Sequence, residues 1–488
     1  MVLSCPRCKC TLDAPDQAAG RQARCPSCQA IVPMPAIAAG TFDASGRPDS
    51  ADQAASQSPP AATEASTLNA QPAAGAGGRS KRALVWFILG GIALLGLGWL
   101  ILGSALRQPP PSDPPVAPPV VKADEEVKAD TEVKAGREVD VERLRKAADA
   151  GDAEAMFSIG VMYAEGQGIA RDEAEAMRWY RKAADAGDAK AMYNLGVMYV
   201  EGRGVAKDEA EAARWYRKAA DAGDAAAMSN LGLMYADGRG IARDEAEAVR
   251  WYRKAADAGY AGGMYNLGVM YADGRGVAKD DAEAARWFHK AADAGNADAM
   301  VLLGVMYADG RGIARDEAEA VRWYRKGVDA GNASAMALLG VMYADGRGIA
   351  RDEAEAVRWY RKGANAGNAS AMALLGVMYA SGRGIARDEA EAVRWYRKGA
   401  GAANGLAMAL LGIMYADGRG IARDEAEAVR WYRKGADAGN ASAMALLGVM
   451  YADGRGVAKD DAEAVRWYRR AAALGNKTAK RVLREMGK

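Results

Sequence analysis

Tryptophan recurs at positions 179, 215, 251, 287, 323, 359, 395, 431 and 467, a spacing of 36 residues kept without exception. A fixed period of this length marks a repeat architecture, because a unit so short cannot bury its own apolar face and must lean on its neighbours. The unit reads A-x-A-M-x-x-L-G-V-M-Y-A-D-G-R-G-I-A-R-D-E-A-E-A-V-R-W-Y-R-K-G/A-A-D-A-G-N/D, and nine copies fill residues 152–475. All sixteen prolines lie at or before Pro119, so nothing in the repeats interrupts a helix.

Each unit encodes two helices. In the first, residues 189–200, Met192, Leu195, Gly196 and Tyr199 share one stripe at spacings of three and four. Gly196 leaves room there for a neighbouring helix, and the Gly-Arg-Gly at 202–204 supplies the left-handed backbone that ends the helix. Asp208 is placed to cap the second helix, with Glu211 completing a capping box. Trp215 and Tyr216 supply its buried bulk, and acids at its start and Arg214, Arg217 and Lys218 toward its end follow the helix dipole. Residues 141–151 read as a lone second helix before the first unit, and 477–486 as a closing amphipathic helix; both are expected caps.

The pattern A-x-A-M-Y-N-L-G-V-M-Y-A-D-G-R-G-V followed by D-E-A-E-A-x-R-W-Y-R-K-A-A-D-A-G resembles the Sel-one-like repeat (SLR), a relative of the tetratricopeptide class, over two-thirds of the chain. The resemblance implies an all-α, right-handed solenoid of nine helix-turn-helix units over 141–488, and adaptor roles in which proteins are held together. Cysteine-rich relatives with disulfide-linked helix pairs have been linked to β-lactam binding; these repeats hold no cysteine, so that branch does not transfer.

Comparing the repeats with one another locates a candidate partner groove. Two first-helix positions three apart, hence on one face, vary most. One carries Glu154, Lys190, Ala226, Gly262, Asp298, Ser334, Ser370, Leu406 and Ser442; the other Phe157, Tyr193, Ser229, Tyr265, Val301 and then alanine. By analogy with tetratricopeptide arrays this face lines the concave side. Phe157, Tyr193 and Tyr265, beside the amides Asn194, Asn230 and Asn266 and the charges Glu154 and Lys190, are the expected contacts for an extended peptide or helix on repeats one to four. The alternative is that the rings only pack against adjacent repeats. Tryptophan at one fixed position in every unit reads as core.

The N-terminal third divides into four segments. Cys5-Pro-Arg-Cys8 and Cys25-Pro-Ser-Cys28 form two C-x-x-C knuckles within residues 1–35, a spacing suited to one tetrahedral structural zinc, with Cys10 as a fifth thiol. The module resembles short bacterial zinc-ribbon fingers with C-P-x-C knuckles; redox use of the thiols is the alternative. Residues 36–82 read as a flexible tether. Residues 83–106 are an uncharged apolar run long enough for a single membrane span. Arg79, Lys81 and Arg82 before it, against Arg107 after it, place the N-terminus in the cytoplasm and the repeats on the outer or periplasmic side. Residues 107–140 read as a proline-rich and then charged spacer.

Function classes narrow accordingly. A formal net charge of +2 argues against a nucleic-acid binder, and thiolates with zinc offset the basic residues of the first module. His289 is the chain's one histidine and stands where other units carry arginine, so His-based triads are excluded and no catalytic centre is expected. The reading is a membrane-anchored protein–protein scaffold, with a transmembrane regulator coupling an external repeat sensor to the zinc module as the alternative.

Overall fold

The computed structural model describes residues 2–4, 11–13, 22–24, 31–33 and 132–487, with side chains from Val141 onward. The chain divides into two compact units, Met1–Gly77 and Gly78–Lys488. In the first, β1 (Val2–Ser4) pairs antiparallel with β2 (Thr11–Asp13), and β3 (Gln22–Arg24) with β4 (Ile31–Pro33). The end pairs are Ser4 with Thr11 and Arg24 with Ile31. The candidate zinc ligands Cys5, Cys8, Cys25 and Cys28, the tether 36–82 and the expected span 83–106 lie outside the described residues. Among the described residues no helix is long and apolar enough to cross a membrane, and no cluster suited to a metal is present.

The second unit is the expected α-solenoid. Nine helix pairs run from Ala153–Glu165 with Glu173–Asp185 to Ala441–Asp453 with Asp461–Ala473. A lone helix, Glu132–Asp149, precedes them and Lys477–Glu485 closes the stack. The opening helix starts within the expected spacer: residues 132–140 are helical. Adding a residue to a helix already held in place, here by buried Val141 and Ala148, costs little beside starting one.

Local chemistry fixes the ends. The Asp188 carboxylate accepts the Ala191 amide at 2.6 Å, and Gly202, at φ 72°, donates its amide to the Met198 carbonyl. Asp208 caps the second helix by accepting from Ala210 and Glu211. The capping box stays half made: the Asp208 amide donates to the Tyr199 carbonyl, and Glu211 pairs with Arg214 at 3.0 Å instead.

Packing is between neighbours. Each second helix packs on its own first helix and on the first helix of the next repeat. Trp215, 6 % exposed, enters a core shared by two repeats, beside Tyr180 and Ala184 of the preceding repeat and Leu195 of its own. The Lys218 ammonium covers the outer face of that indole, 4.1 Å from its centroid.

Two polar ladders tie the repeats at their edges. Arg203 reaches Glu173 of the preceding repeat at 3.2 Å, Arg239 reaches Glu209 at 3.1 Å and Arg275 reaches Glu245 at 2.9 Å, a rung that continues to Arg455 and Glu425. In repeat one the arginine becomes Gln167, and the residue thirty before it is Arg137, not a carboxylate. In the second ladder Arg181 donates to the Tyr199 hydroxyl at 2.9 Å and Arg361 to Tyr379 at 2.9 Å. His289 interrupts it. Its Nδ1 lies 2.9 Å from an Asp293 oxygen, and its ring stands edge-on to Trp323 with centroids 5.2 Å apart.

Candidate functional site: the inner face of the repeats

First helices of adjacent repeats touch in repeats three and four and from six through nine, whereas adjacent second helices make no comparable contact. The first helices therefore lie on the inside of the curve, as the groove requires. The inner face changes along its length. In repeats six to nine Ala337, Leu338, Ala373, Leu374, Ala409, Leu410, Ala445 and Leu446 are all buried between closely packed helices. Small side chains let those helices approach until the apolar surface is used up internally. In repeats one to four the equivalent positions carry rings, amides and two serines, Ser158 and Ser229, and only some of them are covered.

The expected contact residues fall into two groups. Glu154 and Lys190 are exposed, and Phe157, Asn194, Asn230, Tyr265 and Asn266 are half-buried. Tyr193 is 5 % exposed and is part of the core beneath that surface. The rings also stack inward: Phe157 on Tyr180 at 5.7 Å, Tyr193 on Tyr216 at 5.8 Å and Tyr265 on Phe288 at 5.9 Å between centroids. These tilted contacts join each first helix to its own second helix.

The amides bridge repeats. Asn194 hydrogen-bonds the Tyr180 hydroxyl of the preceding repeat, and Asn230 those of Tyr193 and Tyr216. Asn266 donates to Ser229 Oγ at 3.2 Å. Burial pushes the Tyr180 and Tyr193 hydroxyls up to about 12, opposed by these amide bonds. In later repeats leucine replaces the amide, and the inner surface loses its polar lining.

Tyr260 escaped the sequence reading. The residue before each first helix is an aspartate or asparagine whose side chain caps it, except in repeat four, where Tyr260 makes no capping bond. Its ring lies over Gly262, where an added Cβ would fall 2.6 Å from Cε1. Half-buried, it sits near Asp224 and Tyr193; burial raises its hydroxyl first and the Asp224 charge second. Desolvation likewise raises Asp224, opposed by its bonds to the Ala227 and Ala226 amides and by the nearby Lys190 charge. The departure was legible by aligning the capping position across repeats.

The surface thus offers aromatic edges, amides, a few charges and a hydroxyl. His289, the histidine of the chain, is engaged by Asp293 and Trp323.

The family described as Sel1 repeat matches nine consecutive segments without a gap, from 153–188 to 441–476. Among solved structures, the chain is similar to a protective antigen of uropathogenic Escherichia coli strains that displays an SLR fold. The identity is 31 %, over 71 % of this chain and 90 % of that one, with a TM-score of 0.43. It is also similar to a Sel1 repeat protein from Oxalobacter formigenes, at 37 % identity over 54 % of this chain and 99 % of that one, with a TM-score of 0.46. No curated protein matches.

Proposed function

The chain belongs to the Sel1 repeat family, whose members serve as protein-interaction scaffolds, and we propose that it is a membrane-anchored scaffold that holds a protein or peptide along the inner face of repeats one to four. The observation that carries this reading is the asymmetry of that face. Its last four repeats bury their own small apolar residues, while its first four leave Phe157, Tyr265 and the amides half-covered, with the exposed charges Glu154 and Lys190 on repeats one and two. An extended segment would lay its side chains across the rings and exchange hydrogen bonds with the amides. The anchor is the apolar run at 83–106, with the repeats outside the cytoplasm according to the charges that flank it.

The test uses a photo-crosslinking amino acid in the full-length chain, in cells. Placed at Phe157 or Lys190 it is expected to trap one discrete partner; placed at Arg178 or Lys182, exposed on the second helix, it is expected to trap none. Equal yields from both faces would overturn the groove. Glu154→Lys with Lys190→Glu should abolish capture without changing the melting temperature, since both side chains are exposed.

We also propose a structural zinc ion on Cys5, Cys8, Cys25 and Cys28, and the hairpins favour it. Each knuckle occupies the chain between paired strands, residues 5–10 between Ser4 and Thr11 and residues 25–30 between Arg24 and Ile31. The two hairpins repeat at an offset of twenty, which carries Cys5 to Cys25 and Cys8 to Cys28 but Cys10 to Ala30. Four thiolates drawn symmetrically from two hairpins fit a tetrahedral closed site that would replace the core so small a module lacks. Native mass spectrometry of the full chain should find zinc that Cys10→Ser keeps and Cys25→Ser with Cys28→Ser loses. Zinc lost through Cys10→Ser would overturn the assignment.

A further inference from the structure

The last repeat and the closing helix depart from the repeat pattern in one direction. Stepping by 36 residues, Asp437 becomes Ala473, Ala438 becomes Leu474, Met444 becomes Lys480, Ala445 becomes Arg481 and Gly448 becomes Arg484. Arg469, Arg470, Lys477, Lys480, Arg481 and Arg484 are all exposed, and Glu485 is the acid among residues 469–487. Arg481 lies 3.8 Å from Glu485, and Arg470 stacks over its own Trp467. Arg469 corresponds to Arg433, which donates to Tyr451 at 2.7 Å; one repeat later that tyrosine is Gly487. Leu474, 42 % exposed, and Met486, 38 % exposed, are the exposed large apolar side chains among the described residues.

Capping explains part of this. The glycine that Arg484 replaces is where a following tyrosine would pack, so Arg484 stops the stack. A cap needs a polar outer face, not a face of one sign. The opening helix Glu132–Asp149 ends the array with five acids and five bases. Nor does capping require Leu474 where each of the other repeats places alanine.

We propose that this end face, from Arg469 to Arg484, docks on an anionic lipid bilayer. Lysine and arginine side chains would meet acidic headgroups while Leu474, in the turn between Arg470 and Lys477, enters the interface, the pairing of charge and apolar surface that interfacial segments use. An acidic polypeptide or a nucleic acid would engage the charges but leave Leu474 in water; Met486 lies on the helix side opposite the bases and takes no part. The proposal stands apart from the partner groove and from the span at 83–106.

The test is hydrogen exchange on the full-length chain reconstituted into phosphatidylcholine vesicles, with or without phosphatidylglycerol. Neutral vesicles control for the span, which inserts in both. Amides of 477–485 are expected to exchange several-fold more slowly in the anionic vesicles, and the difference should vanish at high salt. Lys477→Glu with Lys480→Glu should abolish it, and Leu474→Ser should reduce it. Unchanged exchange in repeat five would show that each variant is folded. Equal exchange in both vesicles overturns the proposal. Protection by soluble polyglutamate without any lipid dependence also overturns it, in favour of an acidic protein partner.

Discussion

A methyl group built on Gly196 would fall 2.6 Å from both Cδ1 and Cε1 of Tyr216, and the same glycine–ring contact recurs in every repeat. The ring seals each helix pair. Gly196→Ala brings a helix-propensity gain of about 1 kcal/mol. Overpacking a buried ring costs about 1–3 kcal/mol. The variant is therefore expected to lower the urea midpoint, and adding Tyr216→Leu should recover part of the loss, as coupled neighbours do. An unchanged or raised midpoint for Gly196→Ala alone would contradict the contact.

Trp251 packs in the core formed by Tyr193 and Tyr216 of the preceding repeat and Leu231 of its own, yet its indole N–H is buried without a hydrogen-bond partner. Bulk and polarity can be separated by substitution. Trp251→Ala should cost about 3–5 kcal/mol. Trp251→Phe keeps much of the bulk and removes the orphan donor, so it should cost much less. Equal losses in thermal denaturation would mean that the N–H has a partner in solution.

The arginine–glutamate ladder predicts an acid and salt dependence. Glu209 is held below its ordinary 4.5 by the Arg239 hydrogen bond first, and Glu245 by Arg243 and then Arg275. The carboxyl value is lower in the folded state than in the unfolded one. Its stabilisation is therefore complete above the ordinary value and is lost as pH falls through the folded value. Melting temperature should drop in that window, and at neutral pH it should fall with added salt. Arg239→Gln with Arg275→Gln removes two rungs and should weaken both trends, which differential scanning calorimetry reads directly.

The sequence carried the helix pairs, their glycine ends, the Asp188 and Asp208 caps and the buried tryptophans, because each depends on spacings within one unit. Contacts between units were less legible. Glu173 read as a helix-start acid because its partner Arg203 lies thirty residues away, a separation that becomes contact only once the curvature of the stack is known. The same holds for Arg181 and Tyr199. Tyr193 read as a groove anchor since its position varies among repeats. Variation marks the inner face, but it does not tell a ring lying over the groove from one turned down onto Tyr216.

The central claim is that stacked units form one interior and that the first four present the binding face, so removing whole repeats is the most direct measurement. Deleting 369–404, repeat seven, keeps the 36-residue register and should leave helical circular dichroism per residue and crosslinking at Phe157 unchanged. Deleting 189–260, repeats two and three, should preserve the helical signal equally and abolish the crosslink. Loss of helix after either deletion, or a crosslink that survives the second or fails after the first, would contradict the account.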